Sequence, residues 1–283
     1  MDVGNTPSIK LSNKLYGKLE SINPGGSIKD RPVKYILSKM NPQPGETIVE
    51  ATSGNTGISL AMMCAERNLK CIIVMPSNAS QERKDLMKVF GAELIEVEAG
   101  NFDEAIRIKD QLCKDKGYRS LHQFTNTLNI QCHREELFEE LRIESYLLNQ
   151  KVSAFIAGTG TGGTLMGVQK GFEDYEWGGK IIAVEPAESA VMSGGKAGLH
   201  GIEGIGDGSK FLVKLSKVDE IITISTEDAK ERARRLCREN GLFVGVSAGA
   251  NVLASERWIE QNNPSGIVFT ILCDRGERYI SVL

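Results

Sequence analysis

Val152-Ser153-Ala154-Phe155-Ile156-Ala157-Gly158-Thr159-Gly160-Thr161-Gly162-Gly163-Thr164 passes from an apolar run into glycines and threonines, and a helical pattern follows over 164–172. A short apolar run without alternation reads as a strand buried on both faces. Strand, glycine turn and helix in that order make one unit of a parallel sheet, and in such sheets ligands bind beyond the carboxyl ends of the strands. The same grammar extends in both directions. Apolar runs recur at 47–51, 71–75, 94–97, 181–184, 221–224 and 267–272, separated by helical patterns at 30–40, 57–67, 81–90, 103–115, 135–147, 226–239 and 250–261. The expected fold class is α/β, and 283 residues are enough for two such lobes, each a mostly parallel twisted sheet with helices on both faces.

Composition narrows the function. The formal charge is −3, with 34 basic and 37 acidic residues scattered along the chain, so neither nucleic acid nor an anionic membrane is an expected partner. No apolar run approaches the ~18 residues of a membrane span. The start, Met1-Asp2-Val3-Gly4-Asn5, lacks the basic and apolar regions of a signal peptide, so a cytoplasmic location is expected. Six cysteines occur with no C-x-x-C pair and no zinc-like spacing to histidine; no metal is expected, and the thiols read as reduced. Cys132 and His133 are neighbours in sequence, which points their side chains apart and argues against a nucleophile pair.

The glycine loop 158–164 can wrap N–H and O–H donors around a phosphate at the positive end of the next helix. It also satisfies G-x-G-x-x-G through Gly158, Gly160 and Gly163, with Glu185 about twenty residues on, so a nicotinamide dehydrogenase stands as a competing reading. A second loop, Thr52-Ser53-Gly54-Asn55-Thr56-Gly57, offers hydroxyls, an amide and backbone N–H groups at a helix start. That suits a carboxylate, and equally a well-capped turn. A third, Gly245-Val246-Ser247-Ala248-Gly249, places Ser247 as nucleophile, cap or hydrogen-bond partner. The esterase order Ser, acid, His fails, because all three histidines precede Ser247. Lys29 follows Asn23-Pro24-Gly25-Gly26-Ser27-Ile28 and precedes a helical pattern with Asp30 as its expected N-cap and Pro32 in its first turn. A lysine held there presents an amine to a bound carbonyl, or is an ordinary surface lysine after a turn.

Taken together and in this order, Lys29 in PGGSIKDR, the TSGNTG loop, Gln123-Phe124, the GTGTGGT loop, Glu203-Gly204-Ile205-Gly206, Ser247 and Arg278-Tyr279-Ile280-Ser281 resemble the cysteine synthase and cystathionine β-synthase branch of the fold-type II pyridoxal-phosphate enzymes. The resemblance implies a tryptophan synthase β-like fold with the active site between lobes. It places a smaller, mobile lobe at 37–127, closing over substrate, and a larger cofactor-binding lobe at 1–36 plus 128–283. It implies pyridoxal 5′-phosphate as cofactor, with Lys29 as Schiff-base lysine and proton carrier. Gly160, Thr161, Gly162, Gly163 and Thr164 would hold the phosphate, Asn55 the ring oxygen, and Ser247 would face the pyridine nitrogen. Thr52, Ser53, Gly54, Thr56, Gln123, Gly206 and Asp207 would meet the substrate.

The implied reaction is β-replacement: L-cysteine from O-acetyl-L-serine and sulfide through an aminoacrylate, in a homodimer. Cysteine-consuming relatives that release hydrogen sulfide, making cystathionine, lanthionine or serine, and O-phosphoserine-dependent synthases remain alternatives. Two places depart from the family pattern. After Phe124 the relatives continue with Asn-Pro and a Thr-Thr-Gly-Pro-Glu segment, whereas 125–136 here reads TNTLNIQCHREE. At Gly206-Asp207-Gly208, Gly208 keeps the small residue of acetylserine-type enzymes; the loop has no arginine to receive a phosphoserine, and Asp207 either would repel one or is a turn residue before glycine.

Overall fold

The structure is a computed structural model and describes residues 1–206 and 208–283. In chain order its first elements are β1 (Ser8–Lys10), β2 (Leu15–Leu19), α1 (Asp30–Met40), β3 (Thr47–Ala51), α2 (Asn55–Glu66) and β4 (Lys70–Pro76). Then come α3 (Gln81–Val89), β5 (Glu93–Val97), α4 (Phe102–Lys116), α5 (Leu128–Cys132), a π-helical turn (His133–Leu137) and α6 (Phe138–Leu147). The chain closes with β6 (Val152–Gly158), α7 (Gly163–Asp174), β7 (Lys180–Pro186), β8 (Glu220–Ile224), α8 (Thr226–Asn240), α9 (Val246–Asn262) and β9 (Ile267–Leu272). Two compact units result, one formed by Met1 with Lys29–Asn126 and the other by Asp2–Ile28 with Thr127–Leu283.

The smaller unit holds a three-stranded parallel sheet in the order β3-β4-β5. Val49, Ala51, Ile72 and Val74 pack with Ala105 of α4, while Ile48 and Ile73, which point the other way, are also fully covered. The larger unit holds six strands in the order β1-β2-β9-β6-β7-β8, all parallel but β1. Its central strands are apolar throughout because both faces are covered. Ala154 and Ile156 of β6 pack with Ala229 of α8 and Trp258 of α9, whereas Phe155 and Ala157 pack with Phe138 of α6 and Phe172 of α7. Burying a side chain of this size contributes about 1.5–3 kcal/mol.

Strands β1 and β2 carry no such apolar signature. Lys18 of β2 is buried, and its ammonium is met by Glu140 at 2.9 Å, Glu144 at 2.5 Å and the Thr6 carbonyl. A buried lysine of this kind reads as polar in sequence although its strand lies in a sheet.

Candidate active site

The turn ahead of Lys29 is pinned by the end of the chain. Ile28 N–H donates to the Cys273 carbonyl at 2.9 Å, Arg275 Nε to the Ser21 carbonyl at 3.0 Å, and the Arg278 guanidinium to the Gly25 carbonyl. Gly26 has φ of +79°, and a Cβ there would meet Arg278 at 2.8 Å, so both backbone and space demand glycine. Lys29 then opens α1 as its N-cap residue, half-buried and already helical in backbone. The expectation of Asp30 as N-cap is corrected: Asp30 is the first helical residue, fully buried, and its carboxylate accepts from the Ser59 hydroxyl of α2. The physical reason is tertiary, since α1 packs on α2 and brings that hydroxyl to the carboxylate.

The 52–57 loop joins β3 to α2 with Gly54 as N-cap. Gln123 braces it from outside. Its Oε1 accepts from Thr56 Oγ1 at 2.7 Å and its Nε2 donates to the Ala51 carbonyl at 3.4 Å, so one amide ties the strand end to the helix start. Thr52 Oγ1 accepts from Gly54 N–H at 3.2 Å. Gly57 N–H bonds the carbonyl of the N-cap Gly54 at 3.1 Å, and the positive end of α2 at this loop suits an anion. Beneath the loop lies a buried polar group: Glu50 accepts from Ser120 at 3.0 Å, and Lys109 Nζ lies 3.4 Å from His122 Nδ1. Burial holds the Glu50 carboxyl above its usual range against the pull of Lys109. Burial and then Lys109 hold the His122 imidazole low. His122 has φ of +51° and directly precedes Gln123.

In the larger unit the 158–164 loop leaves the end of β6 and enters α7. Gly162 is its N-cap, with φ of +86°. Thr159 N–H bonds the Val184 carbonyl at 3.1 Å; the Thr159 and Thr161 carbonyls accept from Gly206 N–H at 2.9 Å and Leu212 N–H at 3.1 Å. Thr161 is buried and Thr164 half-buried. Gly158 N–H donates to Asn251 Oδ1 at 2.7 Å. Asn251 lies one turn beyond Ser247 on α9, so the phosphate-type loop and the helix bearing Ser247 are fastened directly. Ser247, 3% exposed, sits inside the first turn of α9 after the N-cap Gly245, which removes its reading as a cap. Before it Val244 forms only an isolated bridge to Arg275, so the strand-turn-helix of a hydrolase elbow is not built.

The dehydrogenase reading loses its acid. Glu185 is buried, and its carboxylate accepts from the N–H groups of Met192 at 2.8 Å and Ser193 at 2.9 Å and from the Ser193 hydroxyl. It is spent on its own loop and does not face a ribose site. Gly206 and Gly208 both have positive φ, at +72° and +73°. Asp207 lies outside the described residues.

Sequence reasoning missed Asn129, His133 and Asn251. Asn129 Nδ2 donates to Thr161 Oγ1 at 3.0 Å, and His133 Nε2 lies 3.3 Å from Thr164 Oγ1. One signal was present: Gly163, Gly167 and Gly171 recur at four-residue spacing on α7, one face of a helix. Cβ atoms there would stand 2.0 Å from Asn129, 2.5 Å from His133 and 2.2 Å from Phe138, so the glycines mark where the 129–138 segment docks.

A family model described as pyridoxal-phosphate dependent enzyme matches residues 1–274. A cysteine synthase of Staphylococcus aureus is 38% identical over 294 aligned positions, covering 99% of this chain and 94% of that protein. Among solved structures, O-ureido-L-serine synthase superposes with a TM-score of 0.92 at 34% identity, covering 99% of this chain and 92% of that one. A hydrogen sulfide-producing enzyme from Fusobacterium nucleatum gives 0.93 at 35% identity, with 99% and 88% covered. With these likenesses spanning nearly the whole chain, the protein belongs to the pyridoxal-phosphate dependent enzymes and is an enzyme of the cysteine synthase type.

Proposed function

We propose that this enzyme makes L-cysteine from O-acetyl-L-serine and sulfide. The observation that carries an amino acid substrate is the Gln123 brace, which ties Thr56 to the end of β3 and so fixes the 52–57 loop at the start of α2, where a carboxylate would meet the positive end of the helix. The cysteine synthase likeness supplies the reaction.

The residues fit the cofactor. Gly162 forms a side-chain-free entry to α7 at positive φ, with first-turn N–H groups beyond it and two threonine hydroxyls beside it, which is what a phosphate monoester needs. Gly160 to Thr164 would hold that phosphate, Asn55 the ring oxygen and Lys29 Nζ the aldehyde carbon. When bound, pyridoxal phosphate supplies an electron sink that acidifies the α-hydrogen of an amino acid.

In this reading Thr52, Ser53, Gly54, Thr56 and Gln123 would meet the substrate carboxylate, and Gly206 and Asp207 would be the residues that meet its side chain. Lys29 Nζ, once freed by the substrate's amine, would take the α-proton; acetate would leave Cβ with the C–O electron pair, hydrosulfide would bond to Cβ, and Lys29 would return the proton to Cα. Ser247 would face the pyridine nitrogen with a neutral hydroxyl, which would give no fixed charge to a pyridinium and would disfavour a long-lived carbanion. Expulsion of a β-leaving group is then the favoured outcome. We further propose that the enzyme works as a homodimer.

The superposition on a hydrogen sulfide-producing enzyme favours a second reading, in which the same residues expel hydrosulfide from cysteine. One experiment separates them. Yellow protein is mixed with O-acetylserine alone, then with sulfide, while the visible spectrum and cysteine are followed; a parallel sample receives cysteine alone. A band shift with O-acetylserine that reverses as sulfide yields cysteine supports synthesis. Sulfide release from cysteine with no response to O-acetylserine rejects it. Lys29→Ala should lose both the yellow band and turnover, and a coloured, active variant refutes the role of Lys29.

A further inference from the structure

The 125–136 stretch, where the chain departs from the family pattern, folds as α5 followed by the π-helical turn. Phe138 N–H bonds the His133 carbonyl five residues back, the signature of a π turn, and such turns concentrate at functional sites. Asn129 and His133 lie four residues apart and both reach the 158–164 loop from the same side.

A hydroxyl offers two acceptor lone pairs and one hydrogen. Thr161 Oγ1 accepts two bonds: Asn129 Nδ2 donates at 3.0 Å and Gly163 N–H at 3.4 Å. With its lone pairs filled, Thr161 is left as a hydrogen-bond donor and nothing else. A hydroxyl in that state suits an anion and rejects a donor. When His133 Nε2 carries the hydrogen, its contact with Thr164 Oγ1 at 3.3 Å fills one lone pair of that hydroxyl and leaves its hydrogen to be donated elsewhere. Gly163 permits this closeness, since any Cβ there would stand 2.0 Å from Asn129 Oδ1.

We propose that Asn129 and His133 are positioning residues for the cofactor phosphate: by donating to Thr161 and Thr164 they turn both hydroxyls into donors aimed at its oxygens. The assignment rests on the pyridoxal-phosphate reading of the loop. It concerns the phosphate only, so it separates the hold on pyridoxal 5′-phosphate from the hold on pyridoxal, which lacks that group.

The test measures dissociation constants of both compounds by absorbance titration of resolved protein, for wild type, Asn129→Asp, Asn129→Ser, His133→Ala and His133→Gln. Folding of each variant is checked by fluorescence of Trp177 and Trp258. A carboxylate at 129 accepts the Thr161 hydrogen and adds negative charge. The preference of Asn129→Asp for pyridoxal 5′-phosphate over pyridoxal should therefore fall by about 10- to 100-fold. Asn129→Ser, small and uncharged, should fall less. His133→Ala should lose about tenfold. His133→Gln, whose amide can still donate, should restore most of it. The ³¹P resonance of the bound cofactor should move in the same order, which general loosening of the fold would not produce. Should Asn129→Asp not fold, the His133→Ala and His133→Gln pair carries the comparison. An unchanged preference in the folded variants, or equal loss in Ala and Gln, overturns the proposal. Wild type that binds neither compound overturns the underlying cofactor reading instead.

Discussion

Replacing Asn251 by alanine should loosen the larger unit while leaving its surface unaltered. The side chain is fully buried. Its Oδ1 accepts from Gly158 N–H at 2.7 Å, and its Nδ2 donates to the Ile271 carbonyl at 2.9 Å and lies 3.4 Å from Cys273 Sγ. Truncation leaves one backbone N–H and one backbone C=O deprived of that partner, at about 1–3 kcal/mol each, so a loss of about 2–6 kcal/mol is expected. Against a total of about 5–15 kcal/mol that is a large share. With a urea slope of about 2 kcal/mol/M, the unfolding midpoint should drop by about 1–3 M. Both tryptophans, Trp177 and Trp258, lie in the larger unit, so their fluorescence reads that unit alone in cofactor-free protein. Asn251→Leu separates packing from hydrogen bonding, because leucine refills the volume without satisfying either backbone group. The reasoning is refuted if Asn251→Ala lies within about 1 kcal/mol of wild type, below the smallest cost of two orphaned groups. Recovery of stability by Asn251→Leu refutes it equally.

Glu50 should make the smaller unit sensitive to pH. Burial raises its folded pKa above the unfolded value of about 4.3. Its protonated form is thus favoured by folding, and the stabilisation is complete below that value and declines as pH rises through the folded pKa. Hydrogen exchange of β3 and β4 amides should show this decline, and Glu50→Gln should flatten it; a parallel decline in the variant rejects the assignment. Gly171→Ala tests the docking face of α7. In an open helix the change gains up to about 1 kcal/mol, but here the new Cβ would stand 2.2 Å from the Phe138 ring, which Trp177 hems in at 5.1 Å. Overpacking of about 1–3 kcal/mol should prevail, and Phe138→Leu should be less harmful in that background than alone. Additive effects on the urea midpoint would show that the two positions do not meet.

The α/β class was legible because strands covered on both faces leave continuous apolar runs, and β3, β6 and β9 begin where those runs begin. The loops at 52–57 and 158–164 were legible because glycine and hydroxyl residues cluster where a strand meets a helix start. Strand β2 was not legible, since the neutralisation of Lys18 depends on Glu140 and Glu144, more than a hundred residues away. The Asp30 carboxylate went to Ser59 for the same kind of reason. Asn129, His133 and Asn251 left no local mark of their own, because what makes each important is the partner that the fold brings to it. The glycines of α7 recorded the docking of one such partner segment, but glycine spacing in a helix becomes informative only once the facing segment is known.

The clasp between Arg278 and the Gly25 carbonyl has a bearing on how the protein is made. Its two ends are 253 residues apart. On a ribosome adding about 5–20 residues per second, the turn ahead of Lys29 waits on the order of tens of seconds for its fastener. Strand β2 likewise waits for β9, its parallel neighbour. Residues 29–126, continuous in sequence, meet no such delay. The turn ahead of Lys29 is thus among the first segments to emerge and among the last to be fastened, so nascent chains pass through an interval in which residues 29–126 are fully synthesised while Gly25 still lacks its clasp.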